Sequence, residues 1–171
     1  QPMNEEELWS ILETGVRNAA KQFVEARIRE GENLKRDMLG KLDAMLGMVD
    51  EIERIAPSLI QEYREKLEAK VQELLAGSTV DEARIATEVV LYADKICVDE
   101  ETVRLRSHIT GAKKILEEGG SVGRKLDFIA QEMNREANTI LSKANSLDVS
   151  NTAIDLKTEI EKVREQIQNI E

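Results

Sequence analysis

The segment Gly123–Lys143, GRKLDFIAQEMNREANTILSK, concentrates side chains able to engage phosphate oxygens or base edges. At 100° per residue, Leu126, Ile129, Ala130, Met133, Ala137, Ile140 and Leu141 share one side, a core face. Arg124, Phe128, Gln131, Arg135, Asn138 and Ser142 share the opposite side. An ordinary solvated face would be mostly Glu and Lys. Here the guanidinium and amide groups offer N–H donors suited to phosphates and bases. Asp127 on one shoulder, with Glu132 and Glu136 on the other, could hold a hard divalent cation, which prefers oxygen ligands. The same residues also fit a plain reading, in which acids and arginines pair along the helix or the amides seal a contact with a neighbouring helix. Phe128 in the middle argues that something covers this face, either a stacked base or another helix.

A second cluster comprises Glu100, Glu101, Arg104 and His108, with Glu101, Arg104 and His108 on one face. His108 is the only histidine; as a functional group it would carry a proton, with Glu101 as base or metal ligand, and otherwise it is structural. In RIREGENLKRD, Arg27, Arg29, Lys35 and Arg36 surround Glu30, Gly31 and Glu32. Gly31 there marks either close approach of another element or nothing more than a solvated, charge-laced face. There is no glycine-rich phosphate loop, zinc-type Cys/His spacing, His-Glu-x-x-His or Ser/Cys nucleophile signature. The single Cys97 precludes an internal disulfide and is expected to be a small buried hydrophobe.

These residues must be positioned by helices. Proline occurs only at 2 and 57, aromatics make up 3% and charged residues 34% of the chain, and no stretch alternates convincingly with period two. The expectation is all-α: a long arm over 1–77, kinked or split near Pro57, and a C-terminal helical domain over 78–171, giving about four further helices. Met38, Leu42, Met45, Val49, Ile52, Ala56, Leu59, Tyr63, Leu67, Val71 and Leu74 form one stripe on the arm. AGST at 76–79 ends it. A helix follows over 80–96, then one capped by Asp99 that stops at Gly119 and Gly120, then the 121–144 helix. The last helix, 151–171, is capped by Ser150 or Asn151. Its Ala153, Leu156, Ile160, Val163, Ile167 and Ile170 follow coiled-coil spacing, so it needs the long arm or another subunit as partner.

The net charge of −10 argues against coating nucleic acid by bulk electrostatics. Yet Arg104–Lys143 holds eight Lys or Arg against five Asp or Glu, +3, leaving −13 elsewhere. No apolar run reaches the roughly 20 residues of a membrane span and no charged-then-apolar leader opens the chain, which suggests a soluble, cytoplasmic protein. It opens at Gln1 without an initiator Met, as a trimmed or truncated product would.

REGENL (29–34), ADKICVDEETVRLRSH (93–108), the 123–145 block and the ending AIDLKTEIEKVREQIQNIE (153–171) together resemble the C-terminal part of the YicC/YloC-like endoribonuclease family. The resemblance implies a bacterial, cytoplasmic, divalent-metal-dependent (Mn or Mg) enzyme that cuts single-stranded RNA and assembles as a homo-oligomer, a hexamer in the full-length family. It also implies an N-terminal α/β domain absent from this chain, so that this fragment would cut weakly or not at all. Carried onto this sequence, it marks Arg29 and Glu30 on the arm, Glu101, Arg104 and His108 on the fourth helix, and Arg124, Asp127, Gln131, Glu132, Arg135, Glu136 and Asn138 on the fifth. Asp127, Glu132 and Glu136, joined by Glu101, would bind metal. Glu101, His108, Asp127 and Arg135 would be catalytic, and Arg29, Arg104, Arg124, Gln131 and Asn138 would hold RNA. Metal-activated water is the leading mechanism, and deprotonation of the 2′-hydroxyl by His108 the second. The rival class is a non-catalytic oligomerisation scaffold or RNA-binding module.

Overall fold

A stripe of apolar residues running from Met38 to Leu74 needs a partner along its whole length, and the middle of the chain's first helix finds one. In the computed structural model, which describes residues 4–75 and 81–170, α1 runs unbroken over Glu5–Leu75, about 105 Å at the usual rise. Then follow α2 (Glu82–Ile96), α3 (Asp99–Glu118), α4 (Gly123–Lys143) and α5 (Leu147–Ile167). The described residues contain no strand. The expected break at 76–79 lies outside them.

Met38, Leu42, Met45, Val49 and Ile52 of α1 are fully buried in one core with Leu105 and Ile109 of α3, Leu126, Met133 and Ile140 of α4, and Leu156 and Ile160 of α5. α1 packs on α3 and α5, and α4 packs on those same two helices. The four therefore form a square bundle in which α4 stands diagonally across from α1, with antiparallel neighbours. The terminal coiled-coil seam is thus buried within the chain: Ala153, Leu156, Ile160, Val163 and Ile167 all lie in this core.

Four local expectations change. Pro57 neither ends nor restarts the helix: it lies inside α1 on an exposed face, where its missing N–H leaves a solvent-side carbonyl unpaired, and Ser58 Oγ donates to the Ile55 carbonyl at 2.8 Å. Asp99 is the first residue of α3 rather than its cap; Val98 holds that position without a side-chain bond. α5 starts at Leu147, where Ser146 Oγ accepts from the Val149 N–H, so the cap is neither Ser150 nor Asn151. Cys97 is an exposed free thiol at the end of α2, since the adjoining Ile96 and Val98 fill the buried positions. Beyond the bundle, Leu59, Leu67 and Val71 are half-buried while Leu74 is exposed. There α2 folds against α1, with Tyr63 and Tyr92 stacked at 3.8 Å.

Candidate nucleic-acid interface and active site

The square arrangement decides what covers α4. Its apolar side faces the core, α3 and α5 take its flanks, and the long arm is on the far corner. Arg124, Phe128, Gln131, Arg135 and Asn138 consequently stay exposed, Phe128 at 64% and the Arg135 side chain at 76%. None of the described helices covers the aromatic ring. The Gln131 amide donates to Asp127 at 2.8 Å, and Arg135 lies 3.9 Å from Glu132. Asp127 also accepts from Arg164 of α5 at 3.4 Å.

On the other flank, α3 and α4 run antiparallel through a ladder of polar contacts. Lys143 Nζ donates to Glu101 at 2.9 Å and to the Cys97 carbonyl at 3.1 Å. Further along, Arg104 donates to Glu136 at 2.9 Å and to Glu100 at 3.0 Å, and lies 3.6 Å from Glu101. Beyond these contacts, Gly111 meets Ile129. The same register sets half-buried His108 opposite Glu132, between the Arg104–Glu136 and Gly111–Ile129 steps. Glu101 and Glu136 are only 4% and 5% exposed. Burial opposes ionisation of Glu101, but Lys143, the backbone and Arg104 outweigh it and hold its carboxyl below the ordinary value. Its Oε2 is buried without a hydrogen-bond partner. Lys143 is raised, chiefly by its bond to Glu101.

Not every expected residue joins this groove. Asp127 and Glu136 are nine positions apart, half a turn in phase, so they point to opposite flanks of α4. With Glu101 and Glu136 held by Lys143 and Arg104, and Asp127 by Arg164, the carboxylates Asp127, Glu132, Glu136 and Glu101 do not fit one metal ion. Among the described residues no three His, Cys, Asp or Glu are grouped to hold one. Arg29 and Glu30 sit at the base of the arm. Glu30 lines an open cavity of about 630 Å³ with Gly31, Lys35, Gly119 and Asn169, at the end of the bundle. A Cβ at Gly31 would meet nothing within 4 Å, so the close contact that its position suggested is not made among the described residues.

The model of the C-terminal region of YicC-like endoribonucleases matches residues 52–171. The chain belongs to the YicC-like endoribonuclease family. It is 44% identical over 169 residues to a probable endoribonuclease YicC of Clostridioides difficile, covering 98% of this chain and 58% of that protein. A probable endoribonuclease YicC of Haemophilus influenzae is 41% identical over 149 residues, 87% of this chain and 51% of that protein. The chain thus spans little more than half the length of these curated relatives. The YicC-like match takes in the whole α3–α4 groove. It begins about two-thirds of the way along α1, so residues 5–51 of that helix lie outside the family model although the match to the Clostridioides relative takes in 98% of this chain.

Two features of this YicC-like bundle escaped the sequence. Lys143, at the end of the signature helix, holds the buried Glu101, and its only sequence signal was a cation in the last turn of α4. Arg106 links α3 to Asp50 and Glu53 of α1, with Lys113 bonded to Asp43 at 2.5 Å. These pairs span more than fifty residues, so no local spacing announces them. No described helix is long and apolar enough to cross a membrane.

Proposed function

We propose that this chain is the RNA-handling C-terminal part of a bacterial cytoplasmic endoribonuclease that cuts single-stranded RNA and works as a homo-oligomer, the hexamer implied by the family resemblance. The observation that carries the reading is Phe128, uncovered in the centre of a face otherwise made of Arg124, Gln131, Arg135 and Asn138. Unpaired bases present their faces for stacking on such a ring while arginines hold the phosphates; a duplex hides those faces. This face lies on the locally basic part of an otherwise acidic chain.

The chemistry falls to the neighbouring groove. His108 accepts the proton of an RNA 2′-hydroxyl, with the Glu132 carboxylate across the groove from it. The 2′-oxygen then bonds to the adjacent phosphorus and the bond to the 5′-oxygen breaks. Arg135 stabilises the charge that develops. A proton returns to the leaving 5′-oxygen, and the products are a 2′,3′-cyclic phosphate and a 5′-hydroxyl. This reverses the order of the two routes weighed from sequence, because the carboxylates do not converge on one ion. Among the described residues these carboxylates form no single ligand set for the Mn or Mg that the resemblance implies, and no step is assigned to a metal.

The test is the chemistry of the ends left on a single-stranded RNA by a full-length family protein carrying these residues. Cyclic phosphate ends that vanish with His108→Ala are expected; 5′-phosphate ends would sink the route. The second reading, a non-catalytic scaffold, draws on the uncovered apolar arm of α1. Cleavage unchanged in Arg135→Ala and Asp127→Asn, with assembly lost, would favour it.

A further inference from the structure

Asp127 of α4 and Arg164 of α5 bond at 3.4 Å, which marks the antiparallel register of the two helices. Two turns further along each, Asn134 of α4 and Lys157 of α5 come to one level and line an open cleft of about 610 Å³ with Leu141, Ile154, Thr158 and Glu161. Both residues are half-buried. Neither side chain has a hydrogen bond or ion pair among the described residues, although Glu161 lies one turn from Lys157. The other cations of α5 are engaged: Lys162 donates to Glu159 at 2.6 Å and Arg164 to Asp127. Thr158 donates to the Ile154 carbonyl at 3.0 Å. An ammonium and an amide that face one cleft with their donors unused make a seat for an anion, and phosphate oxygens accept from both.

The seat adjoins the exposed face of α4. Asn134 is next to Arg135 and one turn before Asn138. On the opposite flank His108 and Glu132 stand at nearly the same level, so His108, Arg135 and Lys157 form one line across three helices. Glu161 and Glu165 occupy the end of the cleft nearer Arg164, which leaves only the Lys157 end suited to a polyanion.

We propose that Lys157 and Asn134 hold a phosphate of the RNA strand beyond the one at which it is cut, so that the strand crosses α4 from His108 to the α4–α5 cleft. The proposal rests on the reading of α4 as an RNA face and extends it to a second flank of the helix. Because this contact is remote from the reacting atoms, it strengthens substrate binding without changing the bond-breaking step.

The test is the affinity of the 171-residue chain for a labelled single-stranded oligouridine across a salt series. Lys157→Gln should weaken binding about fivefold at about 0.1 M salt and reduce the steepness of log affinity against log salt by about 0.7, the share of one phosphate on a single strand. Asn134→Ala should weaken binding with the steepness unchanged, because it removes no charge. Lys157→Arg should keep the parent salt dependence, and so should Lys162→Gln, whose ammonium is held by Glu159. The melt of Lys157→Gln should coincide with that of the parent, since Lys157 has no ion-pair partner to lose among the described residues. Phe128→Ala separates this claim from the one it rests on. If Phe128→Ala weakens binding while Lys157→Gln keeps the parent affinity and salt dependence, the seat is overturned and the α4 face stands; if neither changes binding, the face falls as well. Equal losses of salt dependence in Lys157→Gln and Lys162→Gln would mean diffuse attraction and would also overturn the seat.

Discussion

Arg104 of α3 donates to Glu136 of α4 at 2.9 Å, while one step along the groove the polarity reverses and Lys143 of α4 donates to Glu101 of α3, also at 2.9 Å. Each helix thus supplies one buried carboxylate and one cation to the other. The pairing ties α3 to α4 in a single register, and His108 and Glu132 are set opposite each other by that register rather than by their own contacts.

Removing one charge from the ladder takes from its partner the counter-ion across the helix interface. Glu136→Gln keeps the shape of the side chain and an acceptor oxygen but strips Arg104 of its buried counter-charge. We expect a loss of about 1–2 kcal/mol, kept modest because Arg104 is 46% exposed and retains Glu100. Chemical denaturation of Glu136→Gln beside the parent chain measures it; an unchanged midpoint would show that the pair contributes nothing.

The Glu101–Lys143 pair predicts a pH window. Glu101 is lowered from an ordinary 4.5, so its contribution is present above that value and disappears as pH falls through the lower folded value. Lys143 is raised from 10.5, so its contribution is present below 10.5 and disappears as pH rises through the higher folded value. Stability from this pair should therefore be level between those limits and fall on the acid side below 4.5. The acid limb should be shallower in Glu101→Gln; identical acid limbs in the two proteins would remove the pair as its cause.

Core packing makes a larger prediction. Ile160 is fully buried at the centre of the α5 seam, and Ile160→Ala should destabilise the bundle by roughly 2–5 kcal/mol through lost transfer energy and a residual cavity. Phe23→Ala, on the projecting arm, should leave bundle stability within about 0.5 kcal/mol. Thermal or denaturant melts of the two variants make the comparison, and equal losses would mean that the arm belongs to the folding unit.

Metal binding separates the carboxylates. Because Asp127 and Glu136 point to opposite flanks of α4, Asp127→Asn should leave the affinity of this chain for Mn²⁺ unchanged in a calorimetric titration. A loss of tenfold or more, roughly 1.4 kcal/mol, would restore Asp127 as a ligand.

Helical periodicity made the all-α architecture and the core face of α4 legible, because burial repeats at the spacing of the helix. The terminal seam was equally plain, though its partner was not: a seam specifies that something packs on it, and only the tertiary fold assigns α1 and α4 to the task. Pro57 does not split the arm, because a proline on the solvent side of a long helix loses one hydrogen bond without meeting a packed neighbour. Residue types drew Asp127, Glu132 and Glu136 together as ligands, whereas helical phase separates Asp127 from Glu136 by half a turn. Lys143 and Arg106 find their partners across forty or more residues, a separation on which local pattern is silent.

The central claim is that the uncovered face of α4 holds single-stranded RNA. The direct measurement is the affinity of the 171-residue chain for a single-stranded RNA and for a duplex of the same sequence, with Phe128→Ala and Arg135→Ala beside the parent. The account predicts preference for the single strand, lost by about tenfold with either substitution, as expected for one stacked base or one phosphate contact at 1–3 kcal/mol. Equal affinities in all three proteins would contradict it.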